Sequence, residues 1–261
     1  MKRKALKKKA AGGHVNRNAQ FERIAELRAL YQVAGNPIIS VDTKKKEHIG
    51  NLFRDGKVYT TETVEVFDHD FPSLAEGVAI PHTVYDIARN EAYVSLGTSR
   101  DTSEFSCDSL RHWWLNYGIL YYPLATSILM LMDGGGSNSS RHFIFKQDLQ
   151  VLADEIGIEI RIAHYPPYTS KWNPIEHRVF PHITRALQGI ILTSHQLTKE
   201  LIEKATTKTG LKVFACIFNK VYKTGRKAME GFKESMRIVF DKHLGQWNYV
   251  AMAKVTFPEV A

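Results

Sequence analysis

The sequence has few cysteines and no long apolar segment, and these two absences exclude several classes of protein. Only Cys107 and Cys216 are present, without a CxxC spacing, so we expect neither a disulfide framework nor a cysteine zinc site. The longest apolar run, residues 128–132 with its flanks, is far too short to cross a bilayer. No apolar stretch follows the basic N-terminus to complete a signal peptide. We therefore predict a reducing cytoplasm and no membrane partner.

Motifs of several enzyme classes are also missing. The sequence contains no HExxH zinc motif, no GxSxG serine motif and no GxxxxGKS/T phosphate loop, and we predict no nucleotide cofactor. Eleven histidines are present, but His177 and His182 are five residues apart and do not share a helix face. A histidine zinc site is therefore not expected either.

Positive charge is present in excess, and it is concentrated near the N-terminus. The formal net charge of the 261 residues is +8, and residues 1–28 contain nine Lys or Arg against two Glu. Such an arm attracts nucleic acid phosphates regardless of their sequence. A solvated tail that aids solubility explains the same charge equally well.

The hydrophobic pattern predicts a mixed α/β domain. Residues 38–41 and 127–132 are compact apolar runs typical of buried strands, and residues 79–99 are typical of a hairpin. Two segments with helical spacing lie at residues 103–117 and 145–156, and the second is followed by a strand with alternating isoleucines. This order predicts a ribonuclease-H-like fold, with a mixed five-stranded sheet flanked by helices.

The same pattern divides the chain into three parts. We predict a basic arm with a short helix in residues 1–35, the ribonuclease-H-like domain in residues 36–190, and a C-terminal helical extension in residues 191–261. Pro174 suits the first position of a helix, but Pro181 lies inside the same predicted helix and should kink it.

Three carboxylates lie where the predicted elements begin or end. Asp42 and Asp133 each follow a buried strand, and Glu176 opens the helix that starts at Pro174. Magnesium prefers such oxygen ligands, and two ions can share one carboxylate while they act on a phosphodiester. Taken singly, each residue also has a structural explanation. An aspartate at a strand end is often a turn former, and Asn173 with Glu176 forms a capping-box pattern.

Polar residues near these carboxylates are candidates for DNA binding. Lys44, Lys45 and Lys46 directly follow Asp42 and are predicted to contact phosphates, although a solvated loop is the simpler alternative. Glycines 134–136 would let a DNA strand approach Asp133 closely. The remaining candidates are Asn138, Lys171, His177 and Arg178. Trp113 and Trp114 have helical spacing with apolar neighbours and are predicted to be core residues.

The motifs around the carboxylates resemble a known family. Residues 40–47 (SVDTKKKE), 132–138 (MDGGGSN) and 169–178 (TSKWNPIEHR) are similar to motifs of the Rhodopirellula-type transposases of bacterial insertion sequences, and the resemblance extends from about residue 36 to 249. It implies that Asp42, Asp133 and Glu176 form a DDE triad that holds two Mg²⁺ ions, with Mn²⁺ as an alternative.

The resemblance further implies DNA partners, namely the insertion-sequence ends and a target, with self-association on DNA in a bacterial cytoplasm. Such transposases normally carry a helix-turn-helix domain before the catalytic core. We therefore expect the chain to be the downstream part of a longer transposase. The predicted function is metal-dependent DNA cleavage and strand transfer. The alternatives are a non-catalytic DNA-binding remnant and a related nuclease that cuts without joining.

Overall fold

The computed structural model describes residues 15–68, 71–135 and 142–254. The first half of the basic arm, Gly136 and the candidate Asn138 lie outside the described residues. No helix among the described residues is long and apolar enough to span a membrane.

Within the described ranges, nine strands form one mixed sheet. They are β1 Ile38–Thr43, β2 Glu47–Ile49, β3 Gly77–Asp86, β4 Glu91–Gly97, β5 Ser127–Asp133, β6 Glu159–Tyr165, β7 Lys212–Phe218, β8 Ile238–Phe240 and β9 Asn248–Ala251. Their order is β7-β4-β3-β1-β5-β6-β9-β8, and β2 pairs with β3. The predicted fold class is confirmed. The predicted strand number was wrong, because β2 extends the hairpin and β7, β8 and β9 come from the C-terminal segment.

The helices follow the predicted pattern closely in the first two thirds of the chain. They are α1 Arg17–Val33, α2 Ser103–Trp113, α3 Ile119–Tyr121, α4 Phe143–Ile156, α5 Pro174–Arg178, α6 Phe180–Leu187, α7 His195–Glu203 and α8 Phe232–Ser235. Thr102 caps α2 by accepting a hydrogen bond from the Phe105 amide, and Gly157 ends α4 in the left-handed conformation, with φ of +71°. Trp113 and Trp114 are buried in the core, as predicted.

The prediction of a helical extension in residues 191–261 was wrong, because the described part of this segment contains the strands β7, β8 and β9. Its longest helix, α7, has nine residues, whereas β7 pairs in parallel with β4 and β9 pairs antiparallel with β6. The sequence of β7 (KVFACIF) is rich in β-branched and aromatic residues, which favours a strand over a helix. The segment therefore belongs largely to the sheet, while the division of the chain at residues 35 and 190 remains a prediction.

Helices cover both faces of the sheet. On one face α2 and α4 pack over Ile39, Val41, Met130 and Met132 in the largest apolar cluster. On the other face, α1 packs over the middle strands β5 and β6, and the segment from α5 to α7 packs over β3, β4 and β7. The alternation of side chains along β1 and β5 therefore decides which residues meet α1 and α5.

Seven of the described strands run in the same direction, and the five long ones among them, β1, β4, β5, β6 and β7, end at one edge of the sheet. β1, β5 and β6 are mutually parallel, β4 and β7 are parallel, and β3 is antiparallel to both β1 and β4. The loops that follow these five strands therefore lie along the same edge, which we call the C-terminal edge. In open sheets with parallel strands, ligands bind at this kind of edge.

Candidate active site

Asp42 and Asp133 lie side by side at the C-terminal edge. β1 and β5 pair in parallel with Val41 opposite Met132, so the next residue on each strand is an aspartate. Val41 and Met132 point into the cluster under α2 and α4, so Asp42 and Asp133 point to the opposite face. Both aspartates thus face the side of the sheet that α1 and α5 cover.

Glu176 reaches the same region because α5 is fastened to β1. The Ser40 hydroxyl donates to Oδ1 of Asn173 at 2.5 Å and accepts a hydrogen bond from the Ile175 amide at 3.1 Å. The Asn173 amide group in turn donates to the Val41 carbonyl at 3.4 Å. All three groups are buried, and Ile175 packs into the cluster beneath α5 and α6. The Ser40–Asn173 link therefore sets the first turn of α5, which carries Glu176, against the strand that carries Asp42.

The capping-box explanation of Glu176 does not describe this structure. Asn173 occupies the N-cap position of α5, but its side chain makes no capping hydrogen bond and is directed to β1 instead. The helix also stops early: α5 ends at Arg178, Val179 leaves the helical conformation, and Pro181 sits in the first turn of α6. The kink expected at Pro181 is thus a complete break between two helices, which suits a proline at a helix start.

The three carboxylates influence one another electrostatically. Burial, the charge of Asp133 and the charge of Glu176 together raise the pKa of Asp42 to about 8, against a hydrogen bond from the Thr43 amide at 2.8 Å that favours its ionised form. Burial and the charge of Glu176 raise the pKa of Asp133 to about 6. A cluster of carboxylates that resists ionisation is stabilised by a bound cation.

The chemistry of the residues present suits a divalent ion. Oδ1 of Asp133 is buried and has no hydrogen-bond partner among the described residues, so it is free to bind a cation. Across the same described ranges, no group of three or more His, Cys, Asp or Glu side chains is arranged to hold one metal ion by itself. Magnesium often takes only one or two protein carboxylates and completes its shell with water and substrate phosphate.

A buried histidine, His164, makes a hydrogen bond to the backbone of Asp133. Nδ1 of His164 lies 2.9 Å from the Asp133 carbonyl oxygen, and its Nε2 lies 3.0 Å from the Tyr249 hydroxyl. Complete burial lowers the pKa of His164 to about 4, so the ring is neutral at neutral pH. A neutral ring that donates from Nδ1 to the carbonyl accepts at Nε2, and Tyr249 is then the donor. β9 therefore helps to position the end of β5.

The three lysines after Asp42 differ in their surroundings. Lys44 is buried, and its ammonium is 2.6 Å from a carboxylate oxygen of Glu47, which also accepts a hydrogen bond from Arg54. Lys45 and Lys46 are exposed. They line a cavity of about 780 Å³ that also contains Glu176, and we call this cavity the inner groove. Lys45 and Lys46 are thus better placed than Lys44 to meet a phosphate.

The other basic candidates lie on the surface around α5. Lys171, His177 and Arg178 are exposed, and the ammonium of Lys171 lies 5.6 Å from the ring centre of Trp172. Ser40, His164 and Tyr249 were not singled out from the sequence. A signal for His164 did exist, because it continues the alternation of Ile160 and Ile162 as a polar residue on a buried strand face.

The mixed sheet and its flanking helices form a ribonuclease-H-like α/β fold of the kind found in DDE transposases. The sequence profile described as Rhodopirellula transposase DDE domain matches residues 1–253, and the chain therefore belongs to this family. No curated protein matches the sequence.

Solved structures of Mos1 transposase have the same fold. A pre-cleavage Mos1 transpososome aligns with a TM-score of 0.51 and 13% identity, over 78% of this chain and 59% of the Mos1 chain. A Mos1 paired-end complex with the left transposon end aligns with a TM-score of 0.50 and 12% identity, over 78% and 58% of the two chains. The present chain thus spans less than two thirds of the length of these Mos1 chains.

Proposed function

We propose that this chain is the catalytic core of a transposase that cleaves DNA at the ends of an insertion sequence and joins those ends to target DNA. The observation that carries the proposal is the placement of Asp42 beside Asp133 at the C-terminal edge of the sheet, with Glu176 on the helix that is hydrogen-bonded to β1. Membership of a transposase DDE family supports it.

In this proposal the three carboxylates hold two Mg²⁺ ions, which Mn²⁺ can replace. Asp42 interacts with both other carboxylates and is the residue that the ions would share. When bound, such ions activate water or a 3′-hydroxyl for attack and stabilise the leaving oxygen of the phosphodiester. This chemistry requires no covalent nucleophile from the protein. Lys45 and Lys46 neutralise backbone phosphates along the inner groove, beside Glu176.

DNA and a second copy of the chain are the proposed partners. The Mos1 neighbours were solved as a transpososome and as a paired-end complex with a transposon end. The Lys and Arg residues of the N-terminal region add a sequence-independent attraction for DNA.

Metal dependence of DNA cleavage provides the direct test. Purified protein is incubated with labelled DNA fragments taken from either side of its gene, with Mg²⁺, with Mn²⁺, or with EDTA. We expect strand cleavage with either ion and none with EDTA, whereas DNA binding measured in the same samples should persist. Cleavage that continues in EDTA would rule out the role of the carboxylates as metal ligands.

The same assay separates the alternatives. A non-catalytic remnant of a transposase would bind DNA in a salt-sensitive way and leave it uncut with both ions. A nuclease would cut the fragments without joining a freed 3′ end to a second duplex.

A further inference from the structure

A second cavity lies on the other side of the lysines that follow Asp42. Its volume is about 820 Å³, and it is bounded by Lys45 and Lys46 on one side and by residues 98–101 with Tyr222 on the other. We call it the outer groove. Thr43, the residue after Asp42, lines both the inner and the outer groove. The two cavities therefore meet beside the proposed metal site.

Hydrogen bonds hold the far wall of the outer groove together. It consists of the loop after β4 and the segment after β7, which are joined by hydrogen bonds. The Thr98 amide donates to the Phe218 carbonyl at 3.3 Å, and the Ser99 hydroxyl donates to the Lys220 carbonyl at 3.0 Å. The Tyr222 amide donates to the Ser99 hydroxyl at 3.1 Å. Arg100 follows directly on this hydrogen-bonded loop, so the loop holds its backbone at the wall of the groove.

The outer groove is positively charged. Arg100, Lys45 and Lys46 are exposed along its walls, and Asp101 is the acidic residue among those that line it. His48 lines the same cavity, and burial together with the charges of Lys46, Arg54 and Lys45 lowers its pKa. Such a groove attracts a polyanion.

The dimensions suit a nucleic acid backbone. The loops after β7, β4 and β1 succeed one another along the C-terminal edge, with β3 between β4 and β1. Three strand spacings of about 4.8 Å make this distance roughly 14 Å. This distance is the width between the two sides of the outer groove, and it leaves room for one sugar-phosphate backbone between them.

We propose that the outer groove binds the sugar-phosphate backbone of DNA that continues past the position of cleavage, and that Arg100 contacts a phosphate there. The proposal rests on the proposed function, because it assumes that the strand to be cut passes Asp42. A strand that lies across the metal site must leave it on both sides, and the two grooves provide an exit on each side. The DNA in the outer groove is either donor DNA flanking the element or target DNA, since the two share the same backbone chemistry.

Salt-dependent binding of a labelled duplex of mixed sequence tests the contact. Each phosphate contact contributes about 0.9 to the slope of log affinity against log salt concentration. Arg100→Gln should therefore lower the slope by about one unit. Lys208→Gln is the matched control, because Lys208 is also exposed but precedes β7 and so lies at the opposite edge of the sheet. Equal slopes for the two variants would overturn the proposal.

Cleavage and joining assays then identify the source of the DNA. If the groove binds donor flank, Arg100→Gln slows cleavage of substrates with flanking DNA and leaves joining of pre-cut ends unchanged. If it binds target DNA, the variant slows joining of pre-cut ends instead. A wild-type chain that cleaves and joins normally, together with an Arg100 variant that matches it in every assay, would refute the groove and leave the proposed function intact. Absence of cleavage by the wild type would refute the function itself.

Discussion

Replacing Asp42 with asparagine is expected to lower the rate of cleavage by orders of magnitude and, without metal, to stabilise the folded protein. Burial and the charges of Asp133 and Glu176 raise the pKa of Asp42 to about 8, so the folded state resists ionising this side chain. Asparagine does not ionise, so the folded variant avoids the cost of a buried charge. We expect the free energy of unfolding at neutral pH to rise by on the order of 2 kcal/mol. Cleavage should fall at least about 10²–10³-fold, the loss that follows removal of one electrostatic contributor to a transition state.

The pH dependence of this gain follows from the direction of the pKa shift. The ordinary pKa of Asp42 is 3.8, and the folded state raises it to about 8. Below 3.8 the group is protonated in both states and the difference between wild type and variant should be small. As pH rises from there, the unfolded state releases its proton first, so wild-type stability falls relative to Asp42→Asn until about pH 8. Urea unfolding across this range measures the effect.

Magnesium should reverse the order of stability. Bound ions stabilise the wild type by mass action, whereas Asp42→Asn has lost the shared ligand and should gain little. Asp86→Asn is a suitable control, because Asp86 is also a buried aspartate with a raised pKa but lies at the opposite end of β3 from this edge. It accepts hydrogen bonds from Tyr122 and two backbone amides, so its replacement should destabilise the fold and leave the response to magnesium unchanged. A stabilising effect of magnesium on Asp42→Asn equal to that on the wild type would contradict the assignment.

The elements that deliver the carboxylates could be predicted because their signals are local. β1 and β5 each have a mainly apolar run followed directly by an aspartate, and Pro174 marks the start of α5. The parallel register of β1 and β5 then places Asp42 beside Asp133 without any further information. The placement of Asp42 beside Asp133 therefore follows once the order of the strands is known.

The parts that could not be predicted depend on contacts between distant residues. Ser40 and Asn173 are 133 positions apart, and the local pattern around Asn173 favoured a helix cap over a bond to β1. Tyr249 supports Asp133 through His164 from a four-residue strand, too short to show a period. The sequence pattern predicts a helical segment around β7, because the partner strand β4 that makes it a strand lies more than a hundred residues earlier. In each case a tertiary contact decides the local structure, and the pattern of a single sequence does not reveal such a contact.

The link between β1 and α5 leads to the second large effect. Asn173→Ala should leave the Ser40 hydroxyl without its acceptor and the Val41 carbonyl without the amide donor that now faces it. We expect a loss of about 1–3 kcal/mol in the free energy of unfolding, the cost of buried polar groups that lose a partner. We also expect cleavage to fall by about 10²-fold, because a shift of about 1 Å in a catalytic group has that effect.

A pair of serines separates positioning from stability. Ser40 and Ser109 are both buried, and each hydroxyl makes two hydrogen bonds. Ser109 lies on α2, on the face away from Glu176, so Ser40→Ala and Ser109→Ala should cost similar stability, about 1–2 kcal/mol. Only Ser40→Ala should lower the rate constant of cleavage at saturating DNA and Mg²⁺, since it alone loosens α5 from β1. Equal rates for the two variants, measured well below their melting temperatures, would show that the link stabilises the fold and does not position Glu176.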